Sequence, residues 1–262
     1  MNANLYIYYR ISDKGRPKDK LPYADKIACL LNAIREFGKK NFYIIADNCS
    51  PETITIIRSE GIMFEETSLG NSASFIYMMD KIIHDRMPDD AIYLIEDDYI
   101  HRRGGGIVLE GLSIADYVTL YDHPDKYWLE SAQGNPFNHK QIQKTRLYIT
   151  NSTYWRETNS STMTFACRMR TLREDYQIWK KFCSIDKTPK DFHAFMAITQ
   201  NSFSDMVSFF LQGKRRRGEF KILLKNILTR RKVKRLVSSI PAYATHTDTA
   251  FIAPFINWET EI

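Results

Sequence analysis

The chain has 262 residues, 44% hydrophobic and 26% charged, and a formal charge of +6. That length and apolar content suffice for one sizeable core, and no apolar run approaches the ~20 residues of a membrane-spanning helix. The basic balance points to an anionic ligand or surface without selecting nucleotide, lipid or nucleic acid.

The N-terminus has no basic segment followed by a secretory apolar stretch. Cys29, Cys49, Cys167 and Cys183 are too widely spaced for a zinc or redox motif, so reduced thiols and a cytoplasmic location are expected. Leu5 to Tyr9 predicts a first strand, with Arg10 to Gly15 as its polar loop. Between Tyr23 and Phe37, Ile27, Leu30, Leu31 and Ile34 recur at helical spacing, and Gly38 supplies a stop. Phe42 to Ala46 reads as a second strand, Asp47 to Pro51 as its turn into a short helix, and Ile62 to Glu65 as a third strand. Gly70 to Ser74 then leads into a helix carrying Phe75, Met78, Met79, Ile82 and Ile83 on one face.

The most informative stretch is Ala91 to Tyr99. An apolar run from Ile92 to Ile95, reading as an interior parallel strand, ends in Glu96, Asp97 and Asp98 with no cation beside them in sequence. Burying such a cluster without counter-charges costs several kcal/mol, so the strand is expected to deliver it to a metal ion or a solvent-filled cleft; an ordinary acidic turn is the competing reading. Open α/β sheets bind ligands at the carboxyl ends of their strands, and right-handed crossovers bring the loops after strands one, two and four to one edge. Arg10, Asp47 and Asp98 are therefore expected in one cleft. Asp47 is a candidate acceptor for a base or ribose, and Gly70, Asn71 and Ser74 permit close approach of a nucleotide; a turn role for Asp47 and a capping role for Ser72 or Ser74 compete. Neither a dinucleotide-binding nor a P-loop glycine fingerprint occurs, which argues against a dehydrogenase and a P-loop NTPase, and Gly104-Gly105-Gly106 is expected to be a flexible loop.

Tyr117 to Tyr121 is the next strand, and Trp128 to Thr145 is a long polar segment of the kind that often carries function. His123 and His139 are candidates for acceptor contact or for surface packing. Leu147 to Trp155 and Ser161 to Ala166 alternate as strands, and Thr171 to Phe182 reads as a helix with Leu172, Tyr176 and Trp179 inward. Asp191 precedes the helical pattern of Phe195, Met196 and Ile198, where an N-cap is expected. From Lys214 to Arg235 basic residues interleave with Phe220, Leu223, Leu224, Ile227 and Leu228. This amphipathic pattern suits a solvated face, an anionic membrane or a diphosphate, and nucleic acid is not expected because aromatics are not spaced among the charges.

In this order the features resemble nucleotide-sugar-dependent glycosyltransferases of the GT-A fold, whose signature is an acidic Asp-x-Asp motif closing an apolar strand. Here Glu96-Asp97-Asp98 matches as Glu-x-Asp. The resemblance is strongest to small GT-A transferases of large algal viruses and polysaccharide-making bacteria, through Tyr-Arg-Ile-Ser-Asp-Lys-Gly, Ile-Glu-Asp-Asp-Tyr, Thr-Met-Thr-Phe-Ala-Cys-Arg and Ala-Thr-His-Thr, which together span nearly the whole chain. It implies an α/β fold with a Rossmann-like, mostly parallel central sheet flanked by helices, a catalytic domain over residues 1–212, and a basic helical appendage and tail over 213–262 that complete the active site. It further implies transfer of a sugar from a nucleotide-diphosphate donor, a UDP-sugar, to a hydroxyl of a glycan or other acceptor in glycan or polysaccharide synthesis. By the same resemblance, Asp98 and His246 hold Mn²⁺ or Mg²⁺, while Tyr9, Arg10, Ile11, Asp47, Gly70, Asn71, Ser74, Glu96 and Asp97 meet the donor. Asp191, with Asp175 as the alternative, is the base of an inverting displacement. Residues 214–235 allow peripheral contact with an anionic membrane. Two rival classes share parts of the pattern: a sugar nucleotidyltransferase, which needs a glycine- and basic-rich loop after its first strand, and a non-catalytic protein binding anionic membranes or RNA through the basic region.

Overall fold

The computed structural model describes residues 4–15, 19–127, 145–184, 188–211 and 217–262. His139, nearly all of the polar segment from Trp128, and Lys214 to Arg216 lie outside the described residues.

Strands and helices alternate through the first third: β1 (Leu5–Ser12), α1 (Lys26–Phe37), β2 (Phe42–Asp47), α2 (Pro51–Ser59), β3 (Met63–Thr67), α3 (Asn71–Asp85) and β4 (Ala91–Glu96). Local chemistry sets the boundaries. The Asp25 carboxylate accepts the Ala28 amide to start α1, and Gly38 at φ 72° ends it, a conformation that costs glycine little. Ser50 caps α2 with Pro51 directly after it, where its missing N–H is no loss. β1 runs to Ser12, beyond the expected Tyr9, because Arg10 registers against Glu96 and Ser12 against Asp47 in the neighbouring strands.

After β4 come β5 (Tyr99–His101), α4 (Val108–Ile114), β6 (Tyr117–Thr119), β7 (Leu147–Ile149), β8 (Tyr154–Thr158), β9 (Phe165–Arg168), α5 (Met169–Cys183), α6 (Asp191–Thr199), α7 (Phe203–Leu211), α8 (Arg217–Leu228), β10 (Leu236–Ile240) and β11 (Ala244–His246). Among the described residues the main sheet has nine strands in the order β3-β2-β1-β4-β9-β6-β10-β8-β7, and β5 pairs with β11 in a separate ribbon. The half from β3 to β4 is parallel. β9 runs antiparallel between β4 and β6, so the second half is mixed rather than doubly wound. β10, from the segment expected as an appendage, lies inside the sheet between β6 and β8.

Both faces of the sheet are covered, and β1 shows how alternation sorts them. Ile7, Tyr9 and Ile11 join Leu30, Ile34, Ile57 and Leu112 under α1, α2 and α4. Tyr8 points the other way, to Phe75, Met79, Leu172, Trp179 and Phe195 of α3, α5 and α6. A third, small cluster joins Met196, Met206 and Leu223 of α6, α7 and α8.

Two expectations change. Gly104 to Gly106 is no flexible loop: the Gly104 and Gly105 amides donate to Glu36 Oε1 at 2.9 and 2.6 Å, and a Cβ on Gly105 would stand 2.8 Å from the Phe37 ring. The run from Leu147 to Trp155 is two strands of a hairpin, turning where the Thr150 amide donates to the Thr153 carbonyl. The four cysteines are free, and burial pushes the Cys183 thiol up to about 12.

Candidate active site

The carboxyl ends of β1, β2 and β4 meet at one edge. On the face covered by α3, the Arg10 guanidinium donates to Glu96 Oε1 at 2.8 Å, to the Asn71 carbonyl and Oδ1 at 2.7 and 2.6 Å, and to Ser74 Oγ at 3.1 Å. Arg10 is buried, and its charge balances Glu96 while fixing the first turn of α3 to both central strands. Asp97 turns to the opposite side, where its Oδ2 accepts the Ser12 amide at 2.7 Å. Burial and the neighbouring Asp98 push the Asp97 carboxyl up, against the downward pull of that amide, Arg10 and Lys20. Lys20 is thus a cation of the cluster that the sequence reading did not name.

Asp98 sits in the turn between β4 and β5 and is buried. His246, the last residue of β11, places Nε2 3.3 Å from Asp98 Oδ2. The β5/β11 ribbon sets this approach by pairing His246 with Tyr99, and the Thr247 amide donates to the Asp98 carbonyl at 2.8 Å. Two ligands of one cation at ~2.0–2.2 Å stand about 3 Å apart, so the carboxylate and imidazole fit a shared Mn²⁺ or Mg²⁺. Among the described residues no group of three His, Cys, Asp or Glu side chains converges, and a cation here would complete its shell with phosphate oxygens and water.

Several expected donor contacts are placed elsewhere. The Tyr9 and Ile11 side chains are fully buried in the layer under α1 and reach no cleft, because they alternate away from Arg10. Asp47 is also buried: its carboxylate accepts from Thr67 Oγ1, the Leu69 and Gly70 amides and Asn48 Nδ2 at 2.7–3.0 Å. Four hydrogen bonds fill the acceptor capacity of a carboxylate, so Asp47 shapes the 67–70 loop rather than offering an oxygen to a base or ribose. Asn71 and Ser74 do gather beside Arg10, while Gly70 precedes them as the N-cap of α3.

Asp191 is the first residue of α6, not its cap, and its Oδ1 accepts the Phe192 amide at 2.7 Å. Burial pushes its carboxyl up to about 6, against that hydrogen bond. Its helix packs with α3 and α5 through Ala194 and Phe195, so it lies on the same side of the sheet as the Arg10 cluster. Asp175, the alternative, is 1% exposed. It accepts from Tyr117 Oη at 2.9 Å and Arg231 at 2.6 Å, and so ties α5 to β6 and to the segment after α8 in the core, out of reach of an acceptor. His123 packs edge-on against Tyr121 at 5.2 Å.

No family model and no curated protein matches the chain. Among solved structures it is similar to GalNAc-T7 with UDP, GalNAc and Mn²⁺, with a TM-score of 0.53 at 9% identity, covering 93% of this chain and 44% of that one. The fold is of the GT-A type. The chain spans less than half the length of GalNAc-T7. Weaker likenesses extend to a mannose-1-phosphate geranyltransferase from Thermus thermophilus (TM-score 0.43, 10% identity, 90% and 73% of the two chains) and to S. aureus TarS 1-349 (0.41, 12%, 87% and 71%), and the fold assignment does not rest on them. In this GT-A frame the acidic turn after β4 and His246 on the tail share the edge where open α/β sheets take ligands.

Proposed function

We propose that the chain is a metal-dependent glycosyltransferase that moves a sugar from a nucleotide-diphosphate donor, a UDP-sugar, to a hydroxyl acceptor. The observation that carries this reading is the approach of His246 on the tail to Asp98 at the end of β4, a mixed oxygen and nitrogen donor pair suited to Mn²⁺. When bound there, the cation supplies Lewis-acid neutralisation of the departing diphosphate. Arg10, held by Glu96, keeps the first turn of α3 in place beside the donor cleft. Asp191 takes the proton of the acceptor hydroxyl as that oxygen attacks the anomeric carbon; the bond from that carbon to the phosphate oxygen breaks, the nucleoside diphosphate leaves, and the configuration inverts. A carboxyl near 6 supports this role, since it is ionised at neutral pH and a stronger base than an ordinary aspartate.

A panel of nucleotide sugars, with and without Mn²⁺, tests the reading through donor hydrolysis and thermal stabilisation. Stabilisation by a UDP-sugar only when Mn²⁺ is present is expected. Product formed instead from a nucleoside triphosphate and a sugar phosphate would replace it with a nucleotidyltransferase.

A further inference from the structure

α7 carries an apolar stripe on its exposed side. Phe203, Val207, Phe210 and Leu211 follow the i, i+4, i+7, i+8 spacing of one helix face, and all four are exposed, Phe210 at 64% and Leu211 at 78%. Met206, beside that stripe, packs inward on Met196 and Leu223, and the charged Asp205 lies round the helix from the stripe. α8 presents a second stripe. Arg217, Lys221 and Lys225 repeat at i, i+4, i+8 and are exposed, with Leu228 on the same face at 73% exposure. The stripes adjoin, because the Phe210 ring lies 5.4 Å from Phe220, one residue before Lys221.

We propose that α7 and α8 together form a docking surface for an anionic lipid bilayer, with the α7 stripe entering the interface and the α8 cations pairing with phosphate headgroups. The chemistry selects this occupant. An aromatic and aliphatic stripe beside a cationic one is the pattern of helices that lie in the membrane plane, whereas the core of a protein interface is depleted of charge. Long Lys and Arg side chains keep their charges at headgroup level while their stems cover apolar surface. No described helix is long and apolar enough to cross a membrane, so the contact is peripheral. The surface shares no residue with Asp98, His246 and Asp191, and the inference does not depend on the proposed reaction.

The test is co-sedimentation of the full chain with vesicles of phosphatidylcholine alone and of equimolar phosphatidylcholine and phosphatidylglycerol. Binding to the anionic vesicles only, weakening as salt rises, is expected. At about fivefold per cation, the triple variant Arg217→Gln, Lys221→Gln, Lys225→Gln should bind roughly 100-fold more weakly. Leu211→Ser should lose about tenfold or more, and its exposed position leaves folding intact, as circular dichroism will verify. Equal affinity for neutral vesicles, no binding to either, or indifference to both variants overturns the proposal. So does a dimer in sedimentation velocity that Leu211→Ser dissolves, which would make the stripe a self-association face, or binding of RNA in preference to vesicles.

Discussion

Replacing Asp191 with asparagine separates catalysis from folding because the two effects have opposite signs. The folded carboxyl titrates near 6 against an ordinary 3.8, so the native state binds this proton more tightly than the unfolded chain does. Its contribution to stability is therefore fully present below the unfolded pKa and is lost as pH rises through about 6. Asparagine keeps an oxygen for the Phe192 amide and carries no charge, so the variant escapes this loss. Allowing for the partial exposure of Asp191, its gain is on the order of 1–3 kcal/mol above neutral pH and vanishes in acid. Transfer should fall by roughly 10² or more while UDP affinity stays within a few-fold. The wild-type rate should also decline about tenfold per pH unit below about 6. Denaturant titrations at acidic and alkaline pH, beside transfer rates and UDP calorimetry, read all of this. A variant that transfers sugar as fast as wild type removes Asp191 from the mechanism, and one no more stable at alkaline than at acidic pH refutes the burial argument.

Asp98→Asn should abolish Mn²⁺-dependent UDP binding in calorimetry, because an amide cannot replace the carboxylate charge opposite cation and diphosphate; wild-type affinity with an intact Mn²⁺ requirement would disprove the assignment. His246→Ala should weaken the same binding in calorimetry while the chain stays folded, since the residue is the last of β11 and only half-buried. Asp175→Ala should leave the pH profile of transfer unchanged yet lower stability by about 2 kcal/mol, because the Tyr117 hydroxyl and the Arg231 guanidinium lose their acceptor; a collapse of transfer in a folded variant would restore Asp175 as a base. Asp47→Ala should cost about 3 kcal/mol or more through the Leu69 and Gly70 amides, seen as a lower denaturation midpoint.

How much was legible depended on how local the decisive contacts are. α1 could be read from Ile27, Leu30 and Ile34 because helical periodicity and a stop glycine lie within the segment itself. The acidic strand end was legible for the same reason. The separation of Arg10 from Tyr9 and Ile11 was also available, since strand alternation alone puts them on opposite faces, and the stripe of α7 was visible as helical spacing from Phe203 to Leu211. Asp47 was not legible. An Asp-Asn turn has the same sequence whether the carboxylate meets a ligand or a loop, and the amides that fill it come from residues 69 and 70. Asp175 was equally hidden, because its partners Tyr117 and Arg231 come from other elements, and Gly105 owes its glycine to the ring of Phe37 rather than to a turn.

The tail that brings His246 to Asp98 is fastened to the loop after β1. The Leu21 amide donates to the Thr247 carbonyl at 2.8 Å, and Thr249 Oγ1 donates to Asp19 at 2.9 Å, across 230 positions of sequence. Within the tail the Asp248 amide donates to His246 Nδ1 at 2.9 Å, which assigns the proton of the neutral ring to Nε2, facing Asp98. The pair as it stands is a direct contact at 3.3 Å with the ring proton facing the carboxylate, and a cation must compete with that proton for the nitrogen. Two protein ligands, one of them protonated at the ligating nitrogen, make a weak metal site by themselves. The diphosphate of the donor adds oxygen ligands and two negative charges, which shifts the balance toward the cation. Metal and nucleotide should therefore bind cooperatively: in calorimetry Mn²⁺ alone binds weakly, and UDP raises its affinity by the same factor by which Mn²⁺ raises that of UDP. Equal Mn²⁺ affinity with and without UDP would show that the site is complete in the protein, and the Asp98–His246 contact would then carry no weight against the cation.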